Sequence, residues 1–233
     1  FSEVLTAKMT ADGLNPALLA TPGGEDLLDF ERKSEHFIPW DYSEDTDLAR
    51  IVSHLDKHGA VVVDVGSGDA LDLHSFCKES QFFECLGELD IELTLAIPLN
   101  GSPENADAVV EIAEAFSDNA DYVIVRRGLS GKEDASDGWE GSYGQKVMSY
   151  LGAAELSAPP VRGALAKSLE THGCLLEQAL ANLEHVPADL RKSLTKWESQ
   201  FQGKIIDLAG DYLIPESEET RVLGLRPSQA IAC

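Results

Sequence analysis

Residues 64–70 read Asp-Val-Gly-Ser-Gly-Asp-Ala and follow directly on Ala60-Val61-Val62-Val63. An aspartate that closes an apolar run can orient a metal-bound water. Gly66 and Gly68, with the small Ser67 between them, let a ligand approach the backbone closely. The other reactive side chains offer less. His54, His58 and His74 are read as sharing no ligand spacing on one face, and Cys77, Cys85, Cys174 and Cys233 form no CxxC or Cys/His zinc pattern. Free thiols in a reducing compartment are expected, with no structural metal. Ser67 stands in Gly-Ser-Gly and not in the Gly-x-Ser-x-Gly elbow of a hydrolase nucleophile. Asp134, Asp137 and Glu140 read as a solvated acidic loop.

The elements that must position this turn follow from periodicity. Leu48, Ile51, Val52 and Leu55 recur at helical spacing until Gly59, and the β-branched run 60–63 then reads as a strand buried on both faces. Helix, glycine and strand make half of a crossover unit. Residues 1–12 read as a helix closed by Asp12-Gly13, and 16–20 as a buried strand. Segment 25–46 reads as acidic and irregular, anchored by Phe37, Ile38, Trp40 and Tyr42. Residues 71–89 are helix-prone and 91–98 form a strand. Ser102 and Pro103 cap and open a helix running to Phe116. A strand at 121–126, a loop at 130–142 and a helix at 144–151 follow.

Strands 16–20, 60–64, 91–97 and 121–126, each apolar and separated by helix-length segments, are expected as neighbours in one parallel sheet. The fold class is therefore three-layer α/β, a mostly parallel sheet flanked by helices, with a helical C-terminal extension. The core spans 1–160. Helices at about 161–184 and 187–203 belong to an extension over 161–213 of the same domain, and 214–233 reads as a flexible tail. The turn at 64–70 then lies past the carboxyl end of a central strand, where open α/β sheets take their ligands.

Charge narrows the partners. Eighteen basic against 41 acidic residues give a formal net charge of −23, a field that repels phosphate backbones and disfavours direct nonspecific DNA binding. Arg126-Arg127 and Arg191-Lys192 are local basic spots and form no stripe. No apolar stretch reaches membrane-spanning length and no signal pattern opens the sequence, so a cytoplasmic protein without membrane association is expected.

Three readings of the 64–70 turn stay open: the Walker B-type strand end of a P-loop NTPase, the first motif of an S-adenosylmethionine-dependent methyltransferase, and a purely structural turn. The methyltransferase pattern expects a third glycine where Ala70 stands, and an acid closing the next strand, which here ends Ile97-Pro98-Leu99-Asn100. The order of motifs over about residues 1–183 resembles the ParA/MinD-type P-loop ATPases. The strand ending in Asp64, the Pro98-ending strand followed by Gly101-Ser102-Pro103, and Tyr122-Val123-Ile124-Val125-Arg126-Arg127-Gly128 carry the likeness. The last segment is similar to the plasmid mobilisation and stability branch (the MobD-, StbB- and TraL-like proteins).

The resemblance implies an ATP- and Mg²⁺-dependent switch in plasmid partition, stability or mobilisation that engages a protein partner and dimerises around nucleotide. Asp64 would orient the Mg²⁺ shell, Gly66, Ser67 and Gly68 would border the γ-phosphate, Pro98 would end a strand at the site, and Arg127 would lie near the base. Phe1-Ser2-Glu3-Val4-Leu5-Thr6 is similar to the start of the helix after a Gly-Lys-Ser/Thr loop, so a phosphate loop directly upstream is expected. Two departures stand against full activity: Ala20-Thr21-Pro22 replaces an Asp-Thr-Asp type element, and Arg127 replaces an adenine-side asparagine. A degenerate, non-hydrolysing interaction protein of the same fold is the remaining alternative.

Overall fold

Three consecutive valines cannot all face one side of a strand, so Val61-Val62-Val63 require cover on both faces of the sheet. The structure, a computed structural model, supplies it. It describes residues 4–5, 8–9, 14, 16–20, 37–39, 47–58, 60–65, 70–99, 103–126, 138–161, 163–173, 179–180, 186–213 and 230–232. In chain order these form β1 (Ala17–Ala20), β2 (Phe37–Pro39), α1 (Asp47–His58), β3 (Val61–Asp64), α2 (Ala70–Glu79), α3 (Phe82–Leu89) and β4 (Glu92–Leu99). There follow α4 (Pro103–Phe116), β5 (Asp121–Arg126), α5 (Tyr143–Tyr150), β6 (Ala154–Ser157), α6 (Gly163–His172), α7 (Ala188–Leu213) and β7 (Ala230–Ala232).

The sheet is α/β in the expected sense: seven strands in the order β2-β1-β3-β7-β4-β5-β6, every pair parallel. Val61, Val63, Leu93, Leu95, Ile97, Tyr122 and Ile124 pack against one helical layer, with Ile51 and Leu55 of α1, Phe82 and Leu86 of α3, and Val109 and Phe116 of α4. Val62, Val123, Val125 and Leu156 face the other way, onto Leu5, Met9, Leu165 of α6 and Leu190, Leu194 and Phe201 of α7. Alternation along each strand thus builds two cores from one sheet.

Several boundaries differ from the sequence reading. The helix-prone stretch 71–89 breaks into α2 and α3 because Gln81 adopts a left-handed conformation (φ 56°), while Ser80 Oγ donates to the Phe76 carbonyl at 2.8 Å. Leu14 N–H donates to the Met9 carbonyl at 3.0 Å, the long back-bond that ends a helix near where Asp12-Gly13 was expected to close one. Phe37–Pro39, in a segment expected to be irregular with Phe37 and Ile38 among its anchors, forms the edge strand β2. The last predicted helix runs ten residues past 203, to Leu213. Gly203 does not stop it, since Ile205 and Leu213 extend the buried stripe of Leu190, Leu194 and Phe201. Ala230–Ala232, inside the segment read as a flexible tail, inserts between β3 and β4.

α7 crosses one face of the sheet and is pinned at both ends. Trp197 Nε1 donates to the Pro159 carbonyl at 2.7 Å and Lys204 Nζ to the Ser157 carbonyl at 2.8 Å. At the far end, Thr94, the one buried polar side chain among the described residues, donates its hydroxyl to the Tyr212 carbonyl at 2.6 Å. Tyr122 at the start of β5 donates to the Ser117 carbonyl at 2.6 Å. Burial, then the carboxylates of Asp118 and Asp121, push its phenol up to about 12, so it remains a donor at neutral pH.

On the opposite face α4 and α5 touch closely. A Cβ at Gly144 would meet the Ala106 backbone carbonyl oxygen and lie 3.1 Å from the Trp139 ring. Gly144→Ala is therefore expected to destabilise the fold by about 1–3 kcal/mol, the cost of overpacking, even though alanine is favoured over glycine in a helix by about 1 kcal/mol. Urea unfolding of both forms measures this. An equal or raised midpoint would show that α5 can move off α4 freely.

Candidate functional site

A ligand site in an open parallel sheet arises where consecutive connections leave in opposite directions, outside the carboxyl ends of the strands. Here the chain passes from β1 outward to β2, then crosses back to β3 and runs on through β4, β5 and β6 on the other side. The switch therefore falls between β1 and β3, and Asp64 is the last residue of β3 at that edge, in register with Ala20 of β1.

β7 lies between β3 and β4. Ile231 and Ala232 pair with Val61 and Val62, and Ala230–Ala232 pair with Glu92–Thr94. Beyond them, no strand pairing between β3 and β4 exists among the described residues. Pro98 lies in β4, exposed and in register with Val125 of β5. Proline gives no N–H to a ladder and is tolerated where a strand is not paired on both sides; the β7 ladder stops at Thr94. The strand expected to end at Pro98 runs one residue further, to Leu99.

Gly66, Ser67, Gly68 and Arg127 lie outside the described residues, as do Asp134 and Asp137 and the residues flanking Pro103 on its N-terminal side. Their neighbour Arg126 ends β5, and its guanidinium lies 2.6 Å from Glu140 Oε1 and 3.9 Å from Glu155 Oε2. Glu140, expected only as solvated surface, also accepts from Gln145 Nε2 at 3.4 Å. Gln145 Oε1 in turn accepts from Gly141 N–H at 2.7 Å, and Ser142 Oγ from Gln145 N–H at 3.0 Å. These contacts tie the start of α5 to the end of β5. Its signal was present as Ser142-x-x-Gln145, the spacing of a capping box. Glu140 is more than half exposed, so the ion pair itself adds little stability.

The remaining candidates separate. His54 and His58, four apart on α1, do share a face, with ring centroids 5.8 Å apart; the expectation that they would not overlooked the i,i+4 spacing. His74 lies elsewhere, its ring centroid 5.1 Å from that of Phe116. Burial, then Lys78, lower its pKa, as suits a neutral packing ring. Among the described residues no group of three His, Cys, Asp or Glu side chains converges on a metal-sized space. Cys77 is buried and Cys85 half-buried, both as free thiols. No helix among the described residues is long and apolar enough to cross a membrane.

Comparison with known proteins adds no relative: no family model matches the chain, and no curated protein or solved structure is similar to it.

Proposed function

We propose that this chain is a ParA/MinD-like nucleotide-binding domain, an ATPase that acts as a nucleotide-gated switch for a protein partner in plasmid partition, stability or mobilisation. The observation that supports the reading is the position of Asp64 at the carboxyl end of β3, in register with Ala20 of β1, at the β1/β3 switch point of an all-parallel sheet. A carboxylate there suits a cation that keeps most of its water, as Mg²⁺ does when phosphates supply its other ligands. Bound Mg²⁺ would supply charge neutralisation to the phosphates. Asp64 would hold the hydrated ion, Gly66, Ser67 and Gly68 would border the γ-phosphate, Pro98 would contribute from the end of β4, and Arg127 would lie on the base side. Arg126, engaged with Glu140 and Glu155, keeps the end of β5 in place.

Residues 1–233 contain no Gly-Lys-Ser/Thr sequence, the element whose amides and lysine cradle the β- and γ-phosphates. Titration calorimetry of residues 1–233 with Mg·ATP is therefore expected to give binding weaker than micromolar, and tighter binding with phosphate release once a Gly-Lys-Ser/Thr loop is fused ahead of Phe1. Tight binding of S-adenosylmethionine in the same titration would replace this reading with methyl transfer. A loop-bearing fusion that neither binds nor hydrolyses ATP would overturn it.

A further inference from the structure

α4 and α5 lie side by side with Gly144 against Ala106, and beyond that contact they part to leave an open groove of about 340 Å³. Val110, Ala113 and Val147 form part of its floor, and Tyr143, Tyr150 and Glu114 stand along it. Tyr143 is 68% exposed and Tyr150 90%. On α5, positions 143, 147 and 150 fall on one helical stripe, so both rings edge the same groove. Large aromatic side chains held in water at the rim of an apolar groove are the residue type that anchors protein interfaces.

Charge decides the occupant. Asp107, Glu111 and Glu114, all exposed, recur at i, i+4 and i+7 along α4, and Glu114 lines the groove beside Val110. Lys146 is the one cation among the groove-lining residues. A chain of net charge −23 repels a second copy of itself and attracts a cationic partner. We propose that the α4/α5 groove is a docking site for a basic amphipathic helix of a protein partner. One or two of its large apolar side chains enter between Tyr143 and Tyr150, and its lysines or arginines run along Asp107, Glu111 and Glu114. This mode presents apolar anchors at i, i+3/i+4 and i+7 to a hydrophobic groove. The site lies on the outer face of one helical layer, apart from the end of β3, and does not depend on nucleotide binding.

The probe is a synthetic 18-residue helix with leucines at helical spacing and lysines elsewhere, followed by fluorescence anisotropy against the whole chain. A control peptide carries glutamate in place of lysine. The lysine peptide is expected to bind, to weaken as salt rises, and to lose affinity on the order of tenfold in Tyr150→Ala and again in Glu111→Gln/Glu114→Gln. All three positions are exposed, so unchanged melting temperatures are expected to accompany these losses. Equal binding by wild type and the Tyr150→Ala variant would reduce the effect to bulk charge and overturn the proposal. So would equal binding of the glutamate peptide, or a concentration-dependent dimer, abolished by Tyr150→Ala, that excludes the peptide.

Discussion

Asp64→Asn, placed in the chain with a Gly-Lys-Ser/Thr loop fused ahead of Phe1, is expected to lower Mg²⁺-dependent ATP turnover about 100-fold or more, while the melting temperature moves little. Asn is nearly the same shape as Asp, so the end of β3 can keep its pairing with Ala20. A carboxylate at the end of a buried strand is costly to keep charged unless something requires the charge, and the fold tolerates its neutralisation. The water ligands of a bound Mg²⁺ do not tolerate it, because a neutral amide orients them weakly. A hundredfold loss corresponds to about 2.7 kcal/mol of transition-state stabilisation, the scale of removing one preorganised electrostatic group. Steady-state phosphate release beside a thermal melt of both forms separates the two roles. Unchanged turnover would make Asp64 a structural residue. A collapsed melting temperature would do the same, since the carboxylate would then be holding the turn.

Trp139→Ala should produce the largest loss of stability, about 3–5 kcal/mol against a typical total of about 5–15 kcal/mol. The indole is 1% exposed and belongs to the core under α4 and α5. Its ring occupies the space that Gly144 leaves free of a Cβ. Its Nε1–H donates to Glu155 Oε1 at 3.2 Å, so alanine opens a cavity and also removes a donor from a carboxylate that helps hold Arg126. Trp139→Phe fills most of the volume and is expected to cost roughly 1–2 kcal/mol, nearer the size of one hydrogen bond and a small gap. Urea unfolding of the three forms gives the comparison. If alanine and phenylalanine proved equally mild, the Trp139 pocket would have to collapse without cost, contrary to its close packing.

Strands with continuous β-branched or apolar runs were legible because their burial is written in their own composition. Val61–Asp64, Glu92–Leu99 and Asp121–Arg126 lie within two residues of their expected bounds. The stripe Leu190, Leu194, Trp197 and Phe201 likewise announced α7. The placement of Asp64 at a strand end also followed from sequence, since an acid after three valines can only be where burial stops.

The short strands were not legible. Phe37–Pro39, Ala154–Ser157 and Ala230–Ala232 are three or four residues long, too few for a period to be counted. They are strands because a neighbour offers them a ladder: β1 for β2, β5 for β6, and both β3 and β4 for β7. Sequence thus determined the α/β class, the layers and the strand-end position of Asp64. Only the tertiary structure decided where the switch point lies, because strand order depends on which edges remain unpaired after the chain has folded, and no residue reports that locally. The same holds for the α4/α5 groove. Tyr143 and Tyr150 look like ordinary helix residues until Gly144 brings α5 against Ala106 and leaves both rings in water at the rim of the groove.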